Sequence, residues 1–413
     1  MSNSKLNSEQ LSQIRESFPF YSHSSSKGSP IYLDNAATTQ KASVVINCIN
    51  ELWITGTANV HRSSHTLANK LTRRYEHARD ICKSFINAKD RREIIWTSGA
   101  TEAINIVANS WGMKNLSEDD EILISEMEHH ANLVPWQQIC ERAGAILKII
   151  PINKHAEIDL TALELLLNNK VKLVAITHIS NVLGTINPIK EIVKRCHQSG
   201  AKVLVDGAQA IAHIPVNVQQ LDCDFYVFSG HKCFAPEATG VLYGKLDVLE
   251  AMPPWKTGGE MVKTVDFLSS SYQPAPLKFE AGTPNISGVI ALSEALIFIN
   301  NLDRKALLEH EQHLTQLAKQ KLLEISNVVL HSVADKSSSI ISFSVNELNA
   351  MDLAALLDEQ NIAIRSGQLC AMPLVNKLNS NGVLRVSFCF YNSTDEVIQF
   401  IKALKQSIAI LRD

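Results

Sequence analysis

From residue 93 onward, short apolar runs rich in Val and Ile alternate with longer stretches whose apolar positions recur at helical spacing. This alternation predicts an α/β fold, in which a mostly parallel sheet is covered by helices on both faces. We expect seven strands: residues 93–97, 121–125, 145–150, 172–177, 202–206, 224–229 and 240–243. Ligands of such sheets bind at the carboxyl ends of the strands, where Thr97, Asp206 and Ser229 lie.

The remaining pattern predicts a second, smaller α/β unit. A helical stretch over residues 286–325 is broken near residues 301–303. Strands and helices then alternate over residues 338–344, 352–359, 383–388 and 394–411. At the other end, a helix over residues 8–18 precedes a linker-like, serine-rich stretch at 22–29. We therefore predict an N-terminal segment packed with the small domain, a large domain and a small C-terminal domain: residues 1–30, 31–295 and 296–413.

Composition narrows the function classes. The 413 residues are 45% hydrophobic and 20% charged, as in an ordinary soluble protein, and the net charge of −3 gives no reason to expect nucleic acid or an anionic membrane as partner. No apolar run approaches the ~18 residues of a spanning helix, and the first residues lack the apolar core of a signal peptide. Eight scattered cysteines without metal-type pairs indicate reduced thiols, a cytoplasmic location and no metal site.

An acid and a lysine at predicted strand ends carry the most specific chemistry. Asp206 opens Asp-Gly-Ala-Gln209, and Lys232 closes Ser229-Gly-His-Lys232. A lysine can form an imine with an aldehyde, and a carboxylate can keep a pyridine nitrogen protonated; pyridoxal phosphate (PLP) needs both. The alternative is a surface lysine beside an aspartate that caps a helix, but the flanking apolar runs argue against it.

Further blocks extend this pattern over roughly residues 30 to 413. They are Tyr32-Leu-Asp-Asn-Ala-Ala37, Asn59-Val-His-Arg62, Thr97-Ser-Gly-Ala-Thr-Glu102, Glu128-His-His-Ala-Asn132, Phe279-Glu-Ala-Gly-Thr-Pro-Asn285 and Arg365-Ser-Gly-Gln-Leu-Cys-Ala-Met372. Together with the lysine and aspartate blocks they resemble the class V aminotransferase branch of PLP enzymes. The closer resemblance is to the Suf-type (group II) cysteine desulfurases and selenocysteine lyases. It implies the PLP-dependent transferase fold of type I.

The resemblance implies a phosphate site at the Thr97–Glu102 turn. Exposed N–H groups at a helix start, with a threonine hydroxyl, suit a phosphate dianion, although the same residues would also make a simple helix cap. The resemblance gives this role to Ala100, Thr101, Ser229 and His231, and to Thr283 reaching from a second subunit. The last assignment implies a homodimer with shared active sites.

The ring of the cofactor has its own implied partners. The resemblance places His129 against the pyridine ring, where an imidazole can stack and move a proton, and leaves His130 structural. Asn181 and Gln209 are implied partners of the ring oxygen; loop capping is the alternative for both. Metal binding by the histidine pair is not expected, because sequence neighbours rarely chelate one ion.

Other residues are expected to meet the substrate. Arg385 lies inside an apolar run, which indicates a ligand carboxylate or a buried acid as its partner. Asn35 and His61 are expected to contact the substrate or line the entrance. The resemblance makes Cys370 the acceptor of sulfur, on a glycine-bearing loop that enters a helix. Packing roles are expected for Cys82, Cys140, Cys196, Cys233 and Cys389.

Two departures from the family pattern stand out. Two histidines usually precede the acceptor cysteine, where this chain has Gln368 and Leu369. Relatives commonly carry Gly-Pro-Thr-Gly where this chain has Ala235-Pro236-Glu237-Ala238, and alanine is disfavoured if either glycine position needs a positive φ. A Glu237 carboxylate facing the phosphate would weaken cofactor binding, whereas one facing solvent or a partner would change little.

The resemblance implies a cysteine desulfurase that converts L-cysteine to L-alanine and leaves a persulfide on Cys370. An acceptor protein of the SufE or SufU kind would carry the sulfur towards iron–sulfur cluster assembly. One alternative is a selenocysteine lyase acting on L-selenocysteine, and another is a low-activity paralogue that serves as a binding or scaffold protein. An aminotransferase is the weakest alternative, because it leaves Cys370 without a role.

Overall fold

The structure is a computed structural model that describes residues 6, 8–22, 30–379 and 382–412. Most of the predicted serine-rich stretch, from residue 23, lies outside the described residues. The strands are β1 Ile31–Tyr32, β2 Ile94–Thr97, β3 Glu121–Ser125, β4 Ile146–Ile150, β5 Val171–Thr177, β6 Lys202–Asp206, β7 Phe225–Ser229, β8 Gly240–Gly244, β9 Val262–Val265, β10 Ser270–Tyr272, β11 Val328–Leu330, β12 Ile340–Val345, β13 Ile362–Ala363, β14 Arg365–Gly367 and β15 Val383–Ser387.

Helices fill the connections between these strands. They are α1 Ser8–Glu16, α2 Pro19–Ser22, α3 Ser43–Thr55, α4 Thr66–Phe85, α5 Ala100–Ile106, α6 Met113–Asn115, α7 Val134–Ala143, α8 Leu160–Leu166, α9 Ile189–Gln198, α10 Val218–Leu221, α11 Leu246–Ala251, α12 Ile286–Asn300, α13 Arg304–Leu323, α14 Ala350–Glu359, α15 Met372–Leu378 and α16 Thr394–Ile410. The predicted elements end within two residues of the observed ones. The break predicted near residues 301–303 separates α12 from α13.

A seven-stranded sheet forms the centre of the larger unit, as predicted. Its order is β2-β8-β7-β6-β5-β3-β4, and β8 runs antiparallel to the other six strands. The inner strands β3, β7 and β8 are buried throughout, which explains their continuous apolar sequence. Thr177 of β5 is the register partner of Asp206 of β6, so the ends of these strands lie side by side. The α/β fold class is therefore confirmed.

The smaller unit is built on an antiparallel sheet in the order β11-β12-β15-β14. Its core joins Leu314 of α13 and Phe343 of β12 to Phe400 of α16, and Leu33 from the start of the chain completes it. The predicted boundary at 295/296 falls inside α12, whose apolar face belongs to the core of the large unit. The division into domains stays a prediction.

The N-terminal helix contacts both units. Arg15 of α1 forms an ion pair with Glu396 of α16 at 3.0 Å, whereas Phe18 packs edge-on against Phe234 and Phe298. Among the described residues, no single helix is both long and apolar enough to cross a membrane. Helices α12 and α13 meet those criteria only as a pair, bent by 83°.

Candidate active site

A cavity of about 310 Å³ opens at the carboxyl ends of the parallel strands. Most of the predicted site residues line it: Ala100, Thr101, His129, Asn181, Asp206, Gln209, Ser229, His231, Lys232, Cys370 and Arg385. Lys232 and Asp206 therefore face one cavity. This is the arrangement on which the prediction of a PLP site depends.

Asp206 ends β6 at the floor of the cavity, where it is only 5% exposed. Its Oδ1 accepts a hydrogen bond from the backbone N–H of Ala208 at 2.9 Å, and among the described residues its Oδ2 has no hydrogen-bond partner. Burial raises the pKa of this carboxyl, since a charge is poorly solvated there. A cationic N–H group placed at Oδ2 would stabilise the ionised form.

Lys232 ends the 3-10 turn Gly230–Lys232, which follows β7 directly. The turn is held through the carbonyl oxygen of His231. This oxygen accepts hydrogen bonds from the hydroxyls of Thr38 (3.0 Å) and Thr39 (3.1 Å) and from the ammonium of Lys41 (3.2 Å). The chain segment before α3 thus fixes the backbone that carries the lysine.

The surroundings of Lys232 favour a neutral amine. Burial lowers the pKa of Lys232, and the positive charge of Arg385 lowers it further, while Asp206 and Cys370 act in the opposite direction. A lysine with a lowered pKa is a better nucleophile towards an aldehyde.

At the predicted phosphate end of the cavity, two strand ends lie close together. The N–H of Ala100 at the start of α5 donates to Ser229 Oγ at 2.8 Å, which leaves the Ser229 hydroxyl hydrogen available to an anion. Gly240 is required here, because a Cβ at this position would lie 2.4 Å from the Cα of Gly99. The N-cap residue of α5 is Gly99, which makes no side-chain cap hydrogen bond, and Glu102 accepts from the N–H of Ser98 at 2.6 Å.

The two adjacent histidines have different tasks. His129 lines the cavity, and its Nδ1 accepts from the N–H of Ala131 at 3.0 Å, so its ring proton lies on Nε2. Burial and the charge of Lys232 lower the pKa of His129 to about 4, which keeps the ring neutral. His130 instead holds the cysteine loop: its N–H donates to the carbonyl of Cys370 (2.7 Å), and its Nε2 accepts from the N–H of Met372 (3.0 Å).

Both predicted amide partners of the ring oxygen line the cavity and also bond to backbone. Asn181 Nδ2 donates to the carbonyl of Leu369 at 2.8 Å, and Gln209 Nε2 donates to the carbonyl of Ala36 at 2.8 Å. Each amide nitrogen carries a second hydrogen that a ligand oxygen can accept. The loop-capping alternative and a ligand role are thus compatible for these two residues.

Cys370 sits on a loop between β14 and α15. Leu369 and Cys370 both have left-handed backbone, with φ of 52° and 53°. Of the eight cysteines, all of which the structure describes, Cys370 is exposed and the other seven are buried. Burial raises the pKa of Cys233 to about 12, as befits a packing residue. The loop therefore presents one accessible thiol to the cavity.

Arg385 of β15 is 3% exposed and finds the buried acid that the sequence indicated. Its Nη2 donates to Asp34 at 2.9 Å and its Nη1 to the carbonyl of Asn181 at 3.0 Å, while its buried Nε has no partner among the described residues. Arg365, which is not among the predicted site residues, also lines the cavity. The available signal was its place at the head of the Cys370 block.

The structure does not bring three predicted residues to the cavity of their own chain. Asn35 is 1% exposed, its Nδ2 donates to the carbonyl of Ser387 (2.7 Å), and its Oδ1 accepts from the Tyr391 hydroxyl, so the expected substrate contact is corrected to a structural role. His61 binds Glu76 at 3.0 Å. The third, Thr283, is exposed outside the cavity.

The unusual segment after the lysine, residues 235–238, does not line the cavity. Glu237 is 73% exposed and pairs with Lys41 at 3.4 Å; it does not line the cavity. Ala238 has a φ of 53°, so one of the two replaced glycine positions does need left-handed backbone, whereas Ala235 does not.

Comparisons with known proteins identify the family of this chain. The aminotransferase class-V family model matches residues 31–400. A probable cysteine desulfurase from Vibrio cholerae is 45% identical over 97% of this chain and 99% of its own length. Among solved structures, the cysteine desulfurase CsdA from Escherichia coli has a TM-score of 0.90 and 38% identity, covering 97% of this chain and 98% of that one. An apo cysteine desulfurase from Thermococcus onnurineus NA1 has a TM-score of 0.91 and 34% identity, covering 96% and 97%. The chain belongs to the class-V aminotransferase family, in which these relatives are cysteine desulfurases.

Proposed function

We propose that the protein is a PLP-dependent cysteine desulfurase that transfers sulfur from L-cysteine to its own Cys370 and releases L-alanine. One observation carries the proposal: the exposed thiol, Lys232 and Asp206 line the same cavity. An aminotransferase needs the lysine and the aspartate but has no use for the thiol. A scaffold role would require a damaged site, and the Glu237 carboxylate lies away from the cavity.

The residues present fit PLP. Asp206 offers to a protonated ring nitrogen its Oδ2, which has no hydrogen-bond partner among the described residues, and Lys232 offers a poorly solvated amine to the aldehyde. The N–H groups around Ala100 and the hydroxyl of Ser229 suit the phosphate. When bound, PLP supplies an aldehyde for amines and a ring that holds the electron pair released at the substrate carbons.

The protein's own groups then handle protons. Lys232 Nζ, whose pKa is lowered by burial, removes the proton from the substrate Cα. His129, which lines the cavity and whose ring is neutral with its proton on Nε2, can return a proton to the reacting atoms. Arg385 holds the substrate carboxylate, so that the Cα–H bond keeps one orientation towards Lys232.

Cys370 completes the transfer. Its thiolate attacks the substrate sulfur, an S–S bond forms, and the Cβ–S bond breaks with its electron pair passing to Cβ. Cβ gains a proton, so L-cysteine and the thiol become L-alanine and a persulfide. Atoms and electrons balance without an external oxidant or reductant.

Mass spectrometry after brief exposure to L-cysteine tests the proposal. The expected result is a gain of one sulfur on the peptide that contains Cys370, absent in Cys370→Ser and retained in the control Cys140→Ser, which alters a buried thiol. Undiminished sulfide release by Cys370→Ser would contradict the proposal.

We further propose the surroundings of this activity. The protein is a Suf-type enzyme of the cytoplasm that forms a homodimer, and its persulfide passes to an acceptor of the SufE or SufU kind. In this dimer Thr283, exposed in the single chain, reaches the phosphate of the neighbouring site. Sedimentation of the purified protein tests the dimer, and loss of cofactor affinity in Thr283→Ala tests the shared site.

A further inference from the structure

Two arginines face each other across neighbouring strands at the cavity wall. Arg365 of β14 and Arg385 of β15 are direct register partners, and both line the cavity. Like charges in directly opposite positions destabilise a sheet. Solvent can screen only one of these two charges. The Arg365 side chain is 50% exposed, whereas the Arg385 side chain is 4% exposed.

Asp34, which lies on a third chain segment, offsets the repulsion between the two arginines. Its Oδ1 accepts from Arg385 Nη2 at 2.9 Å, and its Oδ2 accepts from Arg365 Nε at 3.1 Å. The side chain is 14% exposed and does not itself line the cavity. One carboxylate that does not line the cavity therefore bridges both guanidinium groups.

The backbone of Asp34 is fixed against the same strand. It forms a parallel bridge with Ser387, two residues after Arg385. Its carbonyl oxygen accepts from the N–H of Ala37 at 3.0 Å and from the hydroxyl of Tyr32 at 3.3 Å. The carboxylate thus has a defined position relative to both arginines.

The net charge of this cluster favours the binding of one more anion. Two guanidinium cations and one carboxylate sum to a single positive charge. Arg385 keeps its Nε without a partner among the described residues, at full burial. A buried donor of this kind is costly unless a ligand satisfies it.

We infer that Asp34 is a positioning residue that locks Arg385 and Arg365 into a site for one substrate carboxylate, and so makes the reaction selective for α-amino acids over simple amines. The inference rests on the proposed function, which supplies the amine substrate. It assigns to Asp34 no contact with the substrate.

The test compares L-cysteine with cysteamine, which has the same amine and thiol but no carboxylate. The holoprotein is mixed with each amine, and the spectral change of the bound cofactor is followed. In Asp34→Asn, the apparent second-order rate constant with L-cysteine should fall at least about tenfold, because the amide cannot accept from both guanidiniums. The constant with cysteamine should stay within about twofold of wild type.

Two controls separate the outcomes. Glu51→Gln, which disrupts an exposed carboxylate–guanidinium pair with Arg74, should change neither constant. Arg365→Gln, a change at a half-exposed side chain, should reproduce the selective loss even if Asp34→Asn does not fold. Equal losses with both amines, or an unchanged constant with L-cysteine, would overturn the inference. Because the readout precedes sulfur transfer, a wild type that forms no persulfide would refute the proposed function alone.

Discussion

His130 is expected to control the rate of sulfur transfer through the loop that carries Cys370. The left-handed backbone of Leu369 and Cys370 costs about 1–2 kcal/mol for each residue, or about 2–4 kcal/mol together. The hydrogen bonds that hold the loop come from the His130 N–H, the His130 ring and Asn181. At about 1 kcal/mol net for each bond, the three hydrogen bonds stabilise the loop by about 3 kcal/mol, which nearly cancels the cost of its left-handed backbone.

In such a balance the loss of one bond matters. His130→Ala removes the ring acceptor at 3.0 Å from the N–H of Met372 and keeps the backbone bond to Cys370. A loss of about 1 kcal/mol lowers the ratio of held to released loop by a factor of about five, so from a nearly even balance the held fraction falls about threefold. We therefore expect persulfide formation on Cys370 to slow about threefold.

The assay separates the loop from the rest of the site. Rapid quenching with mass spectrometry follows the persulfide, and stopped-flow absorbance follows the earlier reaction of L-cysteine with the cofactor. Only the persulfide rate should fall, and the control His155→Ala, at an exposed histidine outside the cavity, should change neither rate. A persulfide rate equal to wild type, or a matching loss in the absorbance phase, would refute the reasoning.

Further predictions concern stability and cofactor affinity. Ala238→Gly should raise the unfolding free energy by up to about 1 kcal/mol, because it relieves left-handed backbone, whereas Ala235→Gly should lower it; chemical denaturation of both measures the difference. Glu237→Thr should leave the dissociation constant of PLP within about twofold of wild type, by fluorescence titration, since the exposed carboxylate lies outside the cavity. Burial opposes the charge of His213, but the Glu311 ion pair at 2.8 Å raises the pKa of this imidazole above its ordinary value. The stabilisation that this ion pair contributes is complete below the ordinary imidazole pKa and is lost as the pH rises through the raised pKa of His213. Thermal melts should therefore show a larger loss of stability in Glu311→Gln at about pH 6 than at about pH 9.

The central sheet could be predicted because its inner strands are buried on both faces. Continuous apolar runs identified every strand of this sheet to within one residue. The hairpin of β9 and β10 was missed, since its residues are short, mostly polar and exposed and carry no such signal. Helix α4 is not among the predicted elements either, although its apolar positions recur at helical spacing, because it precedes residue 93, where the alternation of strands and helices begins.

Several features of the site depend on contacts between residues that are far apart in the sequence. Arg365 and Arg385 become neighbours only through the pairing of β14 with β15, which no local pattern encodes. Asn35 lies beside the cavity-lining Ala36 in sequence, yet its amide is consumed by a carbonyl and a hydroxyl more than 350 residues away. The direction of Glu237 depended on the position of Lys41, almost 200 residues earlier. Each of these outcomes is set by long-range packing.

The same burial that shapes the fold also sets the chemistry of the cavity. Burial lowers the pKa of Lys232, which favours the neutral amine that reacts with an aldehyde, and it lowers the pKa of His129 to about 4, which keeps that ring neutral. Burial raises the pKa of Asp206, and it also raises the pKa of Glu128 to about 8, with the charge of Asp206 adding to the effect. A cation beside Asp206 Oδ2 would favour the ionised form of this carboxyl, and the protonated nitrogen of a bound pyridine ring would supply such a cation at the floor of the cavity. The burial that the apolar strands create is therefore also what makes a cationic ring a suitable partner for the residue that ends β6.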